Sequence, residues 1–197
     1  MQNIVSDYFS IAGNLPLKTE ATGKGGAPIS LGEAFRQTIA DIQALNEKGN
    51  TLRFIGNGGS AGIASHMAVD FSKRGEIRAN ALNDPAMLTC LGNDLGYEEV
   101  FAHQVSLHAR DGDGLVAISS SGQSENILRA VKAAQDKGVR VVTFSGFKAD
   151  NPLRAAGDLN YYVNSMEYGF VELTHMALLG ALIDIMIGWR VDQPLGR

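Results

Sequence analysis

Two short stretches crowd glycines, amides and hydroxyls where an anion could be held. "GNGGS" spans residues 56–60 and "SSSGQS" spans residues 119–124. Each follows an apolar run, "LRFI" or "LVAI", and each opens a stretch that reads as a helix. The first amides of a helix lack partners and carry partial positive charge, so they attract anions. Glycine lets the backbone approach closely, and a serine hydroxyl donates a further hydrogen bond. Asn57, Gly58, Gly59 and Ser60, with Ser119, Ser120, Ser121 and Ser124, could therefore enclose a phosphate without any lysine. Serine and glycine also make ordinary turns and N-caps, and either stretch alone fits that reading. Neither continues as Gly-Lys-Ser/Thr and neither gives G-x-G-x-x-G, so no nucleotide cofactor is expected.

Other residues have spacing that suits chemistry. His66 and Asp70 lie four apart in "SHMAVDF", which puts them on one helix face. They could bind a divalent metal or share acid–base work, or simply form a surface pair. Glu172 and His175 lie three apart in "ELTH" and also share a face. From the residues alone, Glu172 reads as a cap or pair at a helix start and His175 as packed inside. His103 and His108, five apart, do not share a face and read as surface or packing residues. Arg74 reads as a solvated helix-end cation, Asp94 as a turn residue, and Tyr161 and Tyr162 as strand packing.

The elements that must position these residues follow from the hydrophobic pattern. Strands are expected at "TLRFI", "GLVAIS", "VRVVTFS" and "LNYYV". Helices are expected near the N-terminus ("QNIVSDYFSIAGNL"), from Leu31 to Lys48, and over 61–73, "DPAML", "YEEVFAHQVSLHA", 124–137, a short stretch from Pro152, and 168–190. Ser30 with Glu33 makes a capping-box pattern, Asp84 precedes Pro85 as a cap, and Gly138 ends a helix. "PLKTEATGKGGAP" reads as a loop. Residues 1–30 are thus a helix and loop ahead of one domain, 31–197. Alternating strands and helices argue for an α/β fold, a parallel sheet with helices on both faces, and ligands then bind beyond the carboxyl ends of the strands. "LVAIS" and "VRVVTF" are continuously apolar, as doubly covered strands should be.

Composition excludes several classes. The 197 residues are 45% apolar and 19% charged, enough for a real core. A net charge of −4 gives no reason to expect a nucleic-acid partner. The single Cys90 excludes an internal disulfide and reads as a small core residue in a reducing compartment. "MALLGALIDIMIGW" is too short to span a bilayer and contains Asp184, and no leader pattern opens the chain, so a cytoplasmic protein with no membrane partner is expected. Residues 173–189 are apolar on nearly every side, which predicts a helix buried in a homo-oligomer.

Taken together, "GNGGS" and "SSSGQS", with "CLGNDLGYEEVF" (90–101) and "VELTH" (171–175), resemble the sugar isomerase (SIS) domain family. Within it they are most similar to the bacterial phosphoheptose isomerases, over about residues 31–188. The resemblance implies a three-layer αβα sandwich with a five-stranded parallel sheet, and a homotetramer with sites at subunit interfaces. It implies a phosphorylated sugar as partner and aldose–ketose isomerisation of sedoheptulose 7-phosphate through a cis-enediol, in lipopolysaccharide heptose synthesis. It makes His66 a ligand for a divalent metal such as zinc, Asp70 a ligand or catalytic base, and Glu172 a residue approaching the metal; His66, Asp70 and Glu172 are the candidate catalytic residues, with Asp70 or Glu172 moving the proton between C1 and C2. It brings Arg74, Asn93 and Asp94 near the substrate. Three positions depart from the family. Asp70 replaces a glutamate and is one methylene shorter, Gly169 replaces an acid, and Gly180 replaces a second active-site histidine. Those departures leave a second reading open. Relatives lacking that histidine bind a replication initiator, so the chain could be a non-catalytic sugar-phosphate-binding protein. A third reading is an isomerase or epimerase for a different phosphosugar.

Overall fold

The computed structural model describes residues 2–191. Five strands form the parallel part of the sheet: β3 (Leu52–Gly56), β4 (Ala79–Ala81), β5 (Gly114–Ser119), β6 (Arg140–Gly146) and β7 (Leu159–Val163). Every residue of β3, β5 and β7 is buried, which is why these stretches show no polar–apolar alternation. Two further strands, β1 (Glu20–Gly23) and β2 (Pro28–Ile29), bring the order to β2-β1-β7-β6-β5-β3-β4.

The stretch expected to be a loop therefore joins the sheet. β1 pairs antiparallel with β7, with Ala21 opposite Tyr161, and β2 pairs antiparallel with β1. Its glycines and proline do mark a turn. However, four ladder pairs along β7 and burial of Ala21 and Thr22 suffice to extend the chain. β4 escaped the pattern for a similar reason: it is a three-residue edge strand with no apolar run.

The helices cover both faces. On one lie α2 (Leu31–Glu47), α3 (Gly59–Lys73) and α8 (Tyr168–Met186), packed around Phe54, Phe71, Phe144 and Tyr161. On the other lie α4 (Pro85–Asp94), α5 (Ala102–His108), α6 (Glu125–Gln135) and α7 (Pro152–Ala156), packed around Ile55, Phe101, Leu115 and Ile127. The Ser30 hydroxyl accepts from the Glu33 amide at 3.1 Å, but the Glu33 carboxylate turns to Arg36 and Gln37, so only half of the capping box forms. Asp84 caps α4 and Asn151 caps α7 in the same way. The remaining helix, α1 (Gln2–Asn14), buries none of its residues.

α8 is long and apolar enough to cross a membrane by length and composition, a longer stretch than the apolar run in the sequence suggested. Here Val171, Leu178, Leu179, Leu182 and Ile183 are buried, as in a core helix. It runs parallel to α3. A Cβ on Gly59 would meet the Glu172 carboxylate, and a Cβ on Gly75 would meet Ile183. Cys90 is exposed rather than in the core, because it lies on the outer side of α4, whose buried residue is Leu91.

Candidate functional site

β3 and β5 are neighbours, with Gly56 opposite Ile118, so both glycine- and serine-rich loops leave the same carboxyl edge of the sheet. The loops are tied side by side. Asn57 and Asn126 exchange two amide hydrogen bonds of 2.9 Å each, and the Tyr97 hydroxyl donates to Asn57 Oδ1 at 3.1 Å. Asn57 is thus committed to holding the loops together. Asn126 and Tyr97 were missed in the sequence. The signal for Asn126 was its place two residues after Ser124, inside the helix that the loop opens.

The loops and the start of α8 enclose a cavity of about 250 Å³, lined by Asn57, Gly58, Gly59, Ser60, Ser119, Ser120, Ser121, Ser124, Tyr168 and Glu172. That space suits a small phosphorylated molecule and not a dinucleotide. Three helix N-termini meet there, those of α3, α6 and α8, and none is capped by a side chain. Away from the cavity, α2, α4 and α7 are capped that way and α5 is not. Uncapped first-turn amides around one cavity supply donors and positive potential for an anion.

The hydroxyls complete this cradle. Ser119 Oγ accepts from the Gly122 amide at 3.2 Å and lies 3.4 Å from Ser124 Oγ. Ser121 Oγ accepts from the Gln123 amide at 3.2 Å. A hydroxyl that accepts from an amide keeps its own proton to donate. Ser120 Oγ is buried with no partner among the described residues, an open polar position in the wall of the cavity. Gly122 has φ +63°, and a Cβ there would lie 2.0 Å from Asn151 Oδ1, so this turn takes glycine alone.

Glu172 brings the single carboxylate of the lining. It sits against the Cα of Gly59, at the N-terminus of α3, where the dipole favours a negative charge. Any side chain at position 59 would displace it. The other two candidate catalytic residues lie elsewhere. His66 and Asp70 pair with each other at 3.6 Å further along α3, and Asp70 also pairs with Arg74 at 3.4 Å. Arg74 in turn pairs with Asp184 on α8, and that hydrogen bond raises its pKa. Asp70 is eleven residues from Gly59, or about 16 Å at the helical rise of about 1.5 Å per residue. His66, Asp70 and Glu172 therefore do not converge within one chain. Among the described residues, no group of three or more His, Cys, Asp or Glu could hold a metal ion.

Arg74, Asn93 and Asp94 do not line the cavity. Asn93 donates to Asp94 at 2.7 Å at the end of α4, which is local turn chemistry. His175 is fully buried, and its Nε2 bonds to the Ser145 carbonyl at 3.1 Å. Burial pushes its pKa down to about 4, against the smaller opposing effect of that hydrogen bond. A Cβ at Gly180 would meet nothing within 4 Å among the described residues, so the backbone there has open space beside it. A side chain at Gly169 would approach the Tyr8 hydroxyl of α1 at 3.0 Å. Tyr168, also missed in the sequence, stands at the mouth of the cavity.

The chain is similar to known proteins of one family. Residues 31–146 match the family model described as SIS domain. The chain is 37% identical to a phosphoheptose isomerase of Thermodesulfovibrio yellowstonii, over 86% of this chain and 85% of that one. It is 35% identical to one from Rhodospirillum rubrum, over 74% and 80% respectively. The solved structure of a phosphoheptose isomerase from Neisseria gonorrhoeae superposes with a TM-score of 0.80 at 30% identity, covering 94% of this chain and 98% of the other.

Proposed function

The chain belongs to the SIS domain family, among the phosphoheptose isomerases, and on that premise we propose that it interconverts sedoheptulose 7-phosphate and an aldose heptose 7-phosphate. The observation that carries this reading is the cavity itself, where uncapped helix N-termini and seryl hydroxyls face one carboxylate. The phosphate takes the Ser119–Ser124 loop and the amides of α6. Its negative charge keeps it away from Glu172, so the reacting end of the sugar lies toward α3. The Glu172 carboxylate removes a proton from C1 of the open-chain ketose and returns it to C2 through a cis-enediol, while the O1 hydroxyl proton passes to O2. The amides at the start of α3 and Ser60 stabilise the charge that develops on the carbonyl oxygen.

The zinc implied by the resemblance has no three-ligand set among the described residues of a single chain, so proton transfer is assigned to Glu172 alone. We also infer a homo-oligomer, a tetramer by the same resemblance. α1 exposes Ile4, Val5, Phe9 and Ile11, and α2 and α8 leave an apolar groove between Phe35, Ile39, Ala181 and Ile185. A second copy's α1 matches that groove in character. The cytoplasm and lipopolysaccharide heptose supply complete the assignment.

Turnover of sedoheptulose 7-phosphate in a coupled assay tests the function, and absence of product with and without zinc or manganese would overturn it. The open space at Gly180 favours a second reading, a phosphosugar-binding protein without turnover. Saturable binding by calorimetry with no product would support that one instead.

A further inference from the structure

Resting on that functional reading, we propose that Tyr168 contacts the substrate and selects for a long sugar chain, held over the cradle by Phe147. Tyr168 lines the cavity one helical turn before Glu172, on the same face of α8. It is 61% exposed, so its ring and hydroxyl are open to a ligand. Its ring packs edge-to-face on Phe147, with centroids 4.8 Å apart and planes at 80°.

Phe147 has φ +57°, a left-handed conformation that bulky residues rarely adopt. Such strain persists where surrounding contacts over-determine it, and it gathers at ligand clamps. Both backbone polar groups of Phe147 are held in this way. Its amide donates to the Ser165 carbonyl at 3.0 Å, and its carbonyl accepts from the Tyr162 hydroxyl at 2.8 Å. Tyr162 is itself buried, with the Arg154 guanidinium 4.1 Å over its ring. The preceding Gly146 leaves no slack, because a Cβ there would meet Val171 at 2.7 Å and the Ser120 carbonyl at 3.1 Å. The strained turn is therefore locked to the serine loop on one side and to α8 on the other, and it directs an aromatic ring at Tyr168. A phenol offers an apolar face to carbon-bound hydrogens and a hydroxyl that both donates and accepts, which suits a polyol chain. With phosphate on the serine loop and the reacting carbons at Glu172, Tyr168 meets the hydroxyls between them. A five-carbon ketose phosphate presents fewer of these.

The test compares sedoheptulose 7-phosphate with ribulose 5-phosphate in the full-length protein and in Tyr168→Ala, Tyr168→Phe and Phe147→Gly. Glycine adopts φ +57° without strain, so Phe147→Gly removes the ring while keeping the turn. Tyr168→Ala should raise KM for the seven-carbon substrate about tenfold or more with kcat little changed, and should erase the preference over five carbons. Phe147→Gly should move KM in the same direction by less. Tyr168→Phe should cost about 2- to 10-fold, the weight of one neutral hydrogen bond. Unchanged KM and unchanged preference in Tyr168→Ala and Phe147→Gly would overturn the proposal. If the wild type binds without turning over, the same comparison is read in Kd. A wild type that neither binds nor converts the seven-carbon substrate overturns the functional reading itself, and this proposal with it.

Discussion

On the proposed function, neutral hydroxyls hold the anion in this site and one carboxylate does the chemistry, so the two roles separate by mutation. Ser119→Ala and Ser124→Ala each remove a hydrogen bond to a charged group, worth about 1.5–3 kcal/mol. Each should weaken phosphosugar binding about 10- to 100-fold by calorimetry. Glu172→Gln should leave that affinity nearly intact while lowering kcat by about 10²–10⁴-fold, the usual weight of a general base. His175 gives a pH signature of a different kind. Its folded pKa of about 4 lies below the ordinary 6.5, so between those values the unfolded chain binds more protons than the folded one. The stability contributed is complete above pH 6.5 and is lost as pH falls toward 4, about 3 kcal/mol across that window. Thermal melts from pH 7.5 to 4.5 should show this decline in the wild type and a shallower one in His175→Asn. Equal slopes would show that His175 does not hold the proton-free form.

At the scale of elements, the site depends on where helices begin. Gly122→Ala should disturb the serine loop, because it adds a Cβ 2.0 Å from Asn151 Oδ1 at a positive φ. An alanine forced into φ > 0 costs more than about 1 kcal/mol, and here the Asn151 cap of α7 must move too. Lower melting temperature together with lost phosphosugar affinity checks this; affinity at wild-type level would count against the loop geometry. Most of the positioning elements were legible in the sequence, since apolar runs, Asp84 before Pro85, Ser30 before Glu33 and Gly138 after α6 are local signals. So were the two loops, whose serines and glycines do line the cavity. β1, β2 and β4 were not legible, because their extended form comes from ladder partners distant in sequence. Nor was the separation of Glu172 from Asp70. Spacing shows which residues share a face of α3 or of α8. It does not show that α8 lies alongside α3 with Glu172 level with Gly59. Tyr168 and Asn126 escaped for the same reason: neither residue type in its local setting signals a cavity.

For the whole molecule, the uncovered apolar surface argues for association. α1 buries none of its residues, and Leu173, Ala177, Ala181 and Ile185 recur every fourth residue along the outer side of α8. Light scattering should give a mass above the 21.0 kDa of one chain, and Phe9→Glu should shift it downward. A wild-type monomer would refute the assembly. The proposal that Glu172 moves the proton without a metal also belongs at this scale, because no third ligand joins His66 and Asp70 among the described residues of one chain and a second copy could bring one. Dialysis against a chelator should leave turnover within about twofold, well below the several kcal/mol that a Lewis acid supplies. The most direct measurement follows the proton. Sedoheptulose 7-phosphate is incubated with the protein in deuterium oxide, and the C1 and C2 positions are read by NMR. Wild-type protein should introduce solvent deuterium at these carbons, and Glu172→Gln should bind the sugar without doing so. Exchange that persists in Glu172→Gln, or a wild type that binds and neither exchanges nor converts the sugar, would contradict the account.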